Sequence, residues 1–237
     1  MAKKRIAKID TKVQETLAKL EVDMVGVVLL KDIKGTKLAE AALKLLPSSK
    51  SIVVLGIEIF SEFLDLTSPE RMAGEPNLND IFTRHIEYLR GRINRAAYDI
   101  AFTSHAAGLK ALPLPGRGPA VDGRFLEAVI SYKDAAAIAG LGSLGMSSLL
   151  VTEKYGPRIS LTVCLTEAAL ESTAGEPQKN CRFCNVCVFK CPAKALEIPK
   201  KGETYIINRF ACRNYIDATG GCSECMRVCP VASPRYE

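Results

Sequence analysis

No stretch of this 237-residue chain approaches the roughly 18 consecutive apolar residues that a membrane-spanning helix requires; runs such as VGVVLL and SIVVLGIEIF are strand-sized. The start is basic, with Lys3-Lys4-Arg5, but no apolar segment follows it and no twin-arginine pair is present. Neither an export signal nor a membrane span is expected, and the cytoplasm is the expected compartment. Low-complexity tracts are missing, and the first 170 residues contain no internal repeat. A strong charge imbalance is missing as well. The formal charge of +6 counts every cysteine as neutral, so cysteines held as thiolates would bring it closer to zero. Basic residues are otherwise scattered, so no nucleic-acid groove is indicated.

What the chain does have is a hydrophobic fraction of 48%, enough for a sizeable core, and nine cysteines. In a reducing compartment such a count argues for metal rather than disulfides. Asp10 or Thr11 is placed to cap a helix with Val13, Leu17 and Leu20 on its apolar face. Residues 22–30 and 51–59 read as buried strands, and 35–47 as a helix stopped by Pro47. A polar loop over 67–77 precedes a long helix over about 78–100. The Pro/Gly-rich segment 112–123 reads as an ordered loop. Ser131 and Asp134 form a capping box that launches a further helix, and 158–166 reads as a third strand. Helices alternating with buried strands predict an α/β or α+β fold. Composition changes at the polar linker 171–180, which puts the expected domain boundary near residue 175: residues 1–175 before it and 176–237 after it.

The cysteines of the last quarter fall into two related halves. The first reads Cys181-x₂-Cys184-x₂-Cys187-x₃-Cys191-Pro192, and the second Cys212, then Cys222-x₂-Cys225-x₃-Cys229-Pro230. A tight x₂ loop wraps three thiolates onto neighbouring irons of one cubane, while the fourth cysteine lies too far along and ligates the other cluster. The spacing therefore predicts one [4Fe–4S] cluster on Cys181, Cys184, Cys187 and Cys229, and a second on Cys191, Cys212, Cys222 and Cys225. Zinc is the competing ligand set, but zinc pairs rarely carry x₂-x₂-x₃-Cys-Pro twice. The ninth cysteine, Cys164, lies inside an alternating strand and reads as a buried inert thiol.

The segment Gly140-Leu141-Gly142-Ser143-Leu144-Gly145 matches G-x-G-x-x-G, yet a dinucleotide fingerprint must follow a strand and open a helix. Here a capped helix precedes it, so a Rossmann site is not expected. Gly140, Gly142 and Gly145 permit positive φ and let backbone approach a flat ligand or another chain closely; a helix C-cap with a tight turn is the simpler reading.

At this point the residues carry a resemblance. The segment AGLGSLGMSSLLVTEKYGPRISLTVCLT (139–166) resembles the A-G-L-G-x-x-G…Y-G-x-R region of the epoxyqueuosine reductase and reductive dehalogenase superfamily. The tail ACRNYIDATGGCSECMRVCP is similar to the second cluster half of those enzymes, including the isolated early cysteine at Cys212. The resemblance implies a nitroreductase-like corrinoid-binding domain followed by a ferredoxin-like domain with two clusters. It implies that the clusters reduce a base-off cobalamin to Co(I) for reductive cleavage of a carbon–heteroatom bond. It also implies that Gly140, Leu141, Gly142, Ser143, Gly145 and Met146 lie against the cofactor. Ser143, Met146 and Ser147 stand where epoxyqueuosine reductases carry tryptophan, lysine and asparagine. The chain ends at Glu237 without the helical-repeat extension that helps hold tRNA, which argues against tRNA as a partner.

A reductive cleavage needs a proton donor, for which Tyr132 and Asp122 are the candidates. His105 sits in TSHAAG, one residue from D-x-H-x-x-G, but Thr103 replaces the aspartate that would orient a cobalt-ligating histidine. His85 is expected on a solvated helix face. An external low-potential donor of ferredoxin or flavodoxin type is the expected electron source. The alternative is an electron-transfer or corrinoid-reactivating protein with no organic substrate of its own.

Overall fold

The computed structural model describes residues 2–72, 75, 77–116, 121–176 and 178–231; positions 117–120 of the Pro/Gly loop lie outside them. Strands β1 (Met24–Leu29), β2 (Ser51–Glu58), β3 (Ala111–Pro113), β4 (Val121–Asp122), β5 (Glu127–Ala128), β6 (Ser143–Leu144), β7 (Leu150–Val151), β8 (Ile159–Thr166), β9 (Leu196–Glu197) and β10 (Ile206–Ile207) follow in chain order. The helices are α1 (Ala2–Leu17), α2 (Lys37–Leu45), α3 (Ser61–Leu66), α4 (Pro69–Met72), α5 (Asn77–Ala106), α6 (Tyr132–Ile138), α7 (Val186–Phe189), α8 (Arg209–Thr219) and α9 (Glu224–Arg227).

The chain divides into two compact units, each assembled from three stretches. One holds Met1–Ile57, Arg90–Leu141 and Ser160–Pro177; the other holds Glu58–Leu89, Gly142–Ile159 and Gln178–Glu237. The cysteine-rich tail thus shares its unit with two earlier segments.

In the first unit the main sheet runs β1-β2-β8-β3. β1 pairs antiparallel with β2, from Met24 opposite Gly56 to Leu29 opposite Ser51. The bond from Lys50 N–H to Thr166 O, and that from Ile59 N–H to Arg158 O, set β2 and β8 antiparallel as well. β3 pairs antiparallel with β8 at the edge, where Pro113 costs no ladder bond. The fold is mixed α+β with antiparallel sheets. Ile52, Val53, Val54 and Leu55 are fully buried, as are Val163, Leu165, Ile93 and Ile100; each such side chain contributes about 1.5–3 kcal/mol. The other edge, β1, is closed by Thr173: its N–H donates to Val27 O, and its hydroxyl accepts from Val27 N–H.

Two expectations are corrected. α1 starts at Ala2 rather than at a cap on Asp10 or Thr11, because AKKRIAKI contains no helix breaker. Asp10 instead accepts from Ala169 N–H at 3.1 Å. His85 is buried rather than solvated, at 8% exposure, since α5 turns that face toward α3. Its ring stacks flat on Phe63 with centroids 3.8 Å apart. The expected cap at Ser131 is present, its hydroxyl accepting from Asp134 N–H. Among the described residues, no helix is long and apolar enough to cross a membrane.

Candidate functional site

The glycine loop begins where α6 ends. Gly140 takes φ +77°, which a helix stop favours, and its N–H bonds back to Ala137 O. Gly142 and Gly145 serve differently: a Cβ on Gly142 would lie 2.5 Å from Val151 O, and one on Gly145 would lie 2.6 Å from Val151 Cγ2. Neither has positive φ. They are small so that the β6–β7 hairpin can close on its own backbone. Leu141, in the first unit, lies against Gly26, whose own Cβ would sit 2.9 Å from it.

The hairpin sets the start of the cysteine segment. Ser143 Oγ accepts from Asn180 N–H at 2.9 Å and from Cys181 N–H at 3.4 Å. Asn180 Nδ2 donates to Val151 O at 2.9 Å. From there the chain turns tightly, with Phe183 at φ 50° and Asn185 at φ 62° on either side of Cys184. Left-handed backbone at a residue as bulky as phenylalanine is costly, and it curls the x₂ loop so that successive cysteines face one centre.

They face a small cavity lined by Cys181, Cys184, Cys187 and Cys229. Met146, Ser147 and Val151 complete one wall, with Pro230 and Val231 beside Cys229. Three cysteines of the first half and one of the second are thereby brought together. Burial pushes the Cys187 thiol up to about 11, and the charges of Cys181, Cys229 and Cys184 push in the same direction. Burial also raises Cys229; Cys181 and Cys184 add to that, while the buried guanidinium of Arg158 opposes it. Such thiols repel one another once ionised, and a cationic core between them removes that cost.

The remaining four form a second neighbourhood. Cys225 is half-buried, and its thiol is raised by burial and then by Cys222, Cys212, Cys187 and Cys191. Cys212 is raised by burial, Cys222 and Cys191. Cys187 of the first set is thus among the neighbours of Cys225 in the second. Cys191 Sγ accepts from Ala195 N–H at 3.3 Å, the kind of bond that adjusts a cluster's potential. Among the described residues, no three His, Cys, Asp or Glu side chains gather as the ligands of a single metal ion would. A cubane, by contrast, spreads its four thiolates over four irons. The donor set therefore fits an iron–sulfur core. The six residues of the glycine loop fit a corrinoid less directly: the space vacated by Gly140, Gly142 and Gly145 is taken by Thr173 and Val151, so a planar ligand gains no room from them.

The two candidate proton donors are engaged elsewhere. Tyr132 is 4% exposed, donates its hydroxyl proton to Pro115 O at 3.1 Å and is raised by burial. Asp122 is paired with Arg124 at 2.8 Å on the surface, and that guanidinium holds its carboxyl below the ordinary range. His105 Nε2 lies 3.3 Å from the backbone of Ala111. Cys164 is buried, with its thiol pushed up to about 12 by burial, as expected of an inert residue. Asn180, Thr67 and Asn79 are the neighbours of the cysteines that sequence reasoning missed, and Arg158 entered it only as the last residue of Y-G-x-R. Only Asn180, adjacent to Cys181, was within reach of a local pattern.

Comparison with known proteins adds to this picture of a mixed α+β fold with a cysteine-lined cavity beside a glycine hairpin. The chain is similar in sequence and fold to both reductive dehalogenases and epoxyqueuosine reductases. It is 30% identical over 116 residues to the tetrachloroethene reductive dehalogenase of Desulfitobacterium hafniense, covering 40% of this chain and 21% of that protein. Against the epoxyqueuosine reductase of Synechocystis it is 24% identical over 206 residues, 79% of this chain and 64% of that one. The chain therefore spans about a fifth of the dehalogenase and under two thirds of the epoxyqueuosine reductase. Among solved structures, the catabolic reductive dehalogenase NpRdhA superposes with a TM-score of 0.64 at 19% identity, over 90% of this chain and 30% of its own. An epoxyqueuosine reductase solved with a tRNA stem loop gives 0.59 at 17%, over 96% and 66%. No family model matches the chain.

Proposed function

We propose that this chain is a cytoplasmic iron–sulfur oxidoreductase that passes electrons through two [4Fe–4S] clusters to a corrinoid, for reductive cleavage of a carbon–heteroatom bond. The observation that carries the iron–sulfur part is the meeting of Cys181, Cys184 and Cys187 with Cys229 around one cavity. Cys191, Cys212, Cys222 and Cys225 are the ligands of the second cluster in this reading. Likeness to the two reductase groups supports the corrinoid, and one solved relative is described as carrying out B12-dependent dehalogenation. When bound, the clusters would supply single electrons and the corrinoid a strongly reducing cobalt centre.

The chain's own part is to hold these groups. Ser143 and Asn180 fix the backbone at Cys181, while the strained turn at Phe183 and Asn185 aims Cys184 and Cys187. Met146 and Val151 wall the cavity with apolar atoms on one side. An external low-potential carrier of ferredoxin or flavodoxin type delivers the electrons.

A second reading is a corrinoid-reducing partner that turns over no organic substrate. It is favoured by the state of Tyr132 and Asp122: one hydroxyl is committed to a carbonyl and the other group is held ionised by Arg124. Anaerobic reconstitution with iron, sulfide and cobalamin separates the two. The first reading expects Co(II)/Co(I) spectral changes and consumption of a halogenated or epoxide substrate; the second expects the spectral changes alone. Cluster absorbance with no response from added cobalamin contradicts both.

A further inference from the structure

We propose that Asn79 and Thr67 are positioning residues for the second cysteine set, clamping the turn and short helix that carry Cys222 and Cys225. The inference rests on the iron–sulfur reading above.

Cys212 lies on α8, Cys222 on the turn after it, and Cys225 on α9, so one short connection must bring all three sulfurs to one centre. That connection is Gly220-Gly221, the freest backbone two residues can offer.

Two side chains from far earlier in the sequence hold it. Asn79, in the first turn of α5, donates from Nδ2 to Gly220 O at 2.6 Å across 141 positions of chain. Its amide also packs on the next residue, because a Cβ on Gly221 would lie 2.9 Å from Asn79 Oδ1. Glycine at 221 is thus what admits Asn79. On the far side of Cys222, the Thr67 hydroxyl is hydrogen-bonded to the hydroxyl of Ser223, itself 2% exposed. α3 packs on α9, where Arg227 grips Glu224 through bonds of 2.8 and 2.9 Å and lies beside Glu70 and Asp65. The backbone at Cys222 is therefore pinned on both sides by Thr67 and Asn79, which lie far from the tail in sequence.

The test uses the full chain, prepared anaerobically and assayed for iron and by electron paramagnetic resonance after dithionite reduction. Asn79→Asp removes the donor and sets a carboxylate against Gly220 O. Its iron is expected to fall from about eight to about four atoms per chain, with loss of the broadening that two adjacent reduced clusters impose on each other. Thr67→Val, nearly isosteric, is expected to keep its iron but to release half of it several-fold faster to a chelator. Full iron with unchanged spectra in Asn79→Asp, together with unchanged release in Thr67→Val, would overturn the clamp while leaving the cluster reading intact. Loss of all iron in Asn79→Asp would overturn its selectivity for the second set. Wild-type chain without iron would remove the reading on which the clamp rests.

Discussion

Ser143 Oγ accepts from two successive N–H groups, those of Asn180 and Cys181, and so fixes the backbone where the cysteine segment begins. Ser143→Ala leaves both donors without that acceptor and should cost about 1–3 kcal/mol in urea unfolding. Cys229 poses the sharper question, because it lies 42 positions beyond Cys187 and yet lines the same cavity. Cys229→Ser should strip the first cluster and spare the second, leaving about four iron atoms per chain in a colorimetric iron assay. The pattern of eight cysteines is visible in the sequence because most of its spacings are short, while the cubanes assigned to it are the proposal above. Met146 was legible only as part of the glycine loop; that it walls the sulfur cavity depends on a hairpin closure no local pattern announces.

At the scale of elements, α5 and α3 meet through His85 and Phe63. Burial holds the His85 pKa below its ordinary 6.5. The unfolded chain therefore takes up a proton in a range where the folded chain does not. Stability from this contact is complete above about pH 6.5 and falls as the pH drops toward the folded value, with a slope of at most about 1.4 kcal/mol per unit. His85→Leu should flatten that slope in unfolding curves recorded between pH 5 and pH 7.5 relative to wild type, keeping the apolar stack; an equal slope in both proteins would exclude His85 as its source. β1, β2, α2 and α6 lay close to their expected bounds because their apolar patterns and caps are local. The sheet order was not legible, since β8 inserts between β2 and β3 through pairings such as Pro113 with Cys164 and Lys50 with Thr166, far beyond the reach of a local pattern. His85 was misjudged for the same reason: its helix face was polar enough to suggest water, and its partner lies on another helix.

For the molecule as a whole, the two units draw on three stretches each, so the cysteine tail acquires its surroundings from residues 58–89 and 142–159. Composition marked the tail but not those companions. For the chain to carry electrons, sulfurs from both cysteine halves must close around iron–sulfur cores. Iron and acid-labile sulfide in anaerobically prepared full chain should then each come to about eight per chain. Zinc in their place, or neither iron nor sulfide, would rule the clusters out.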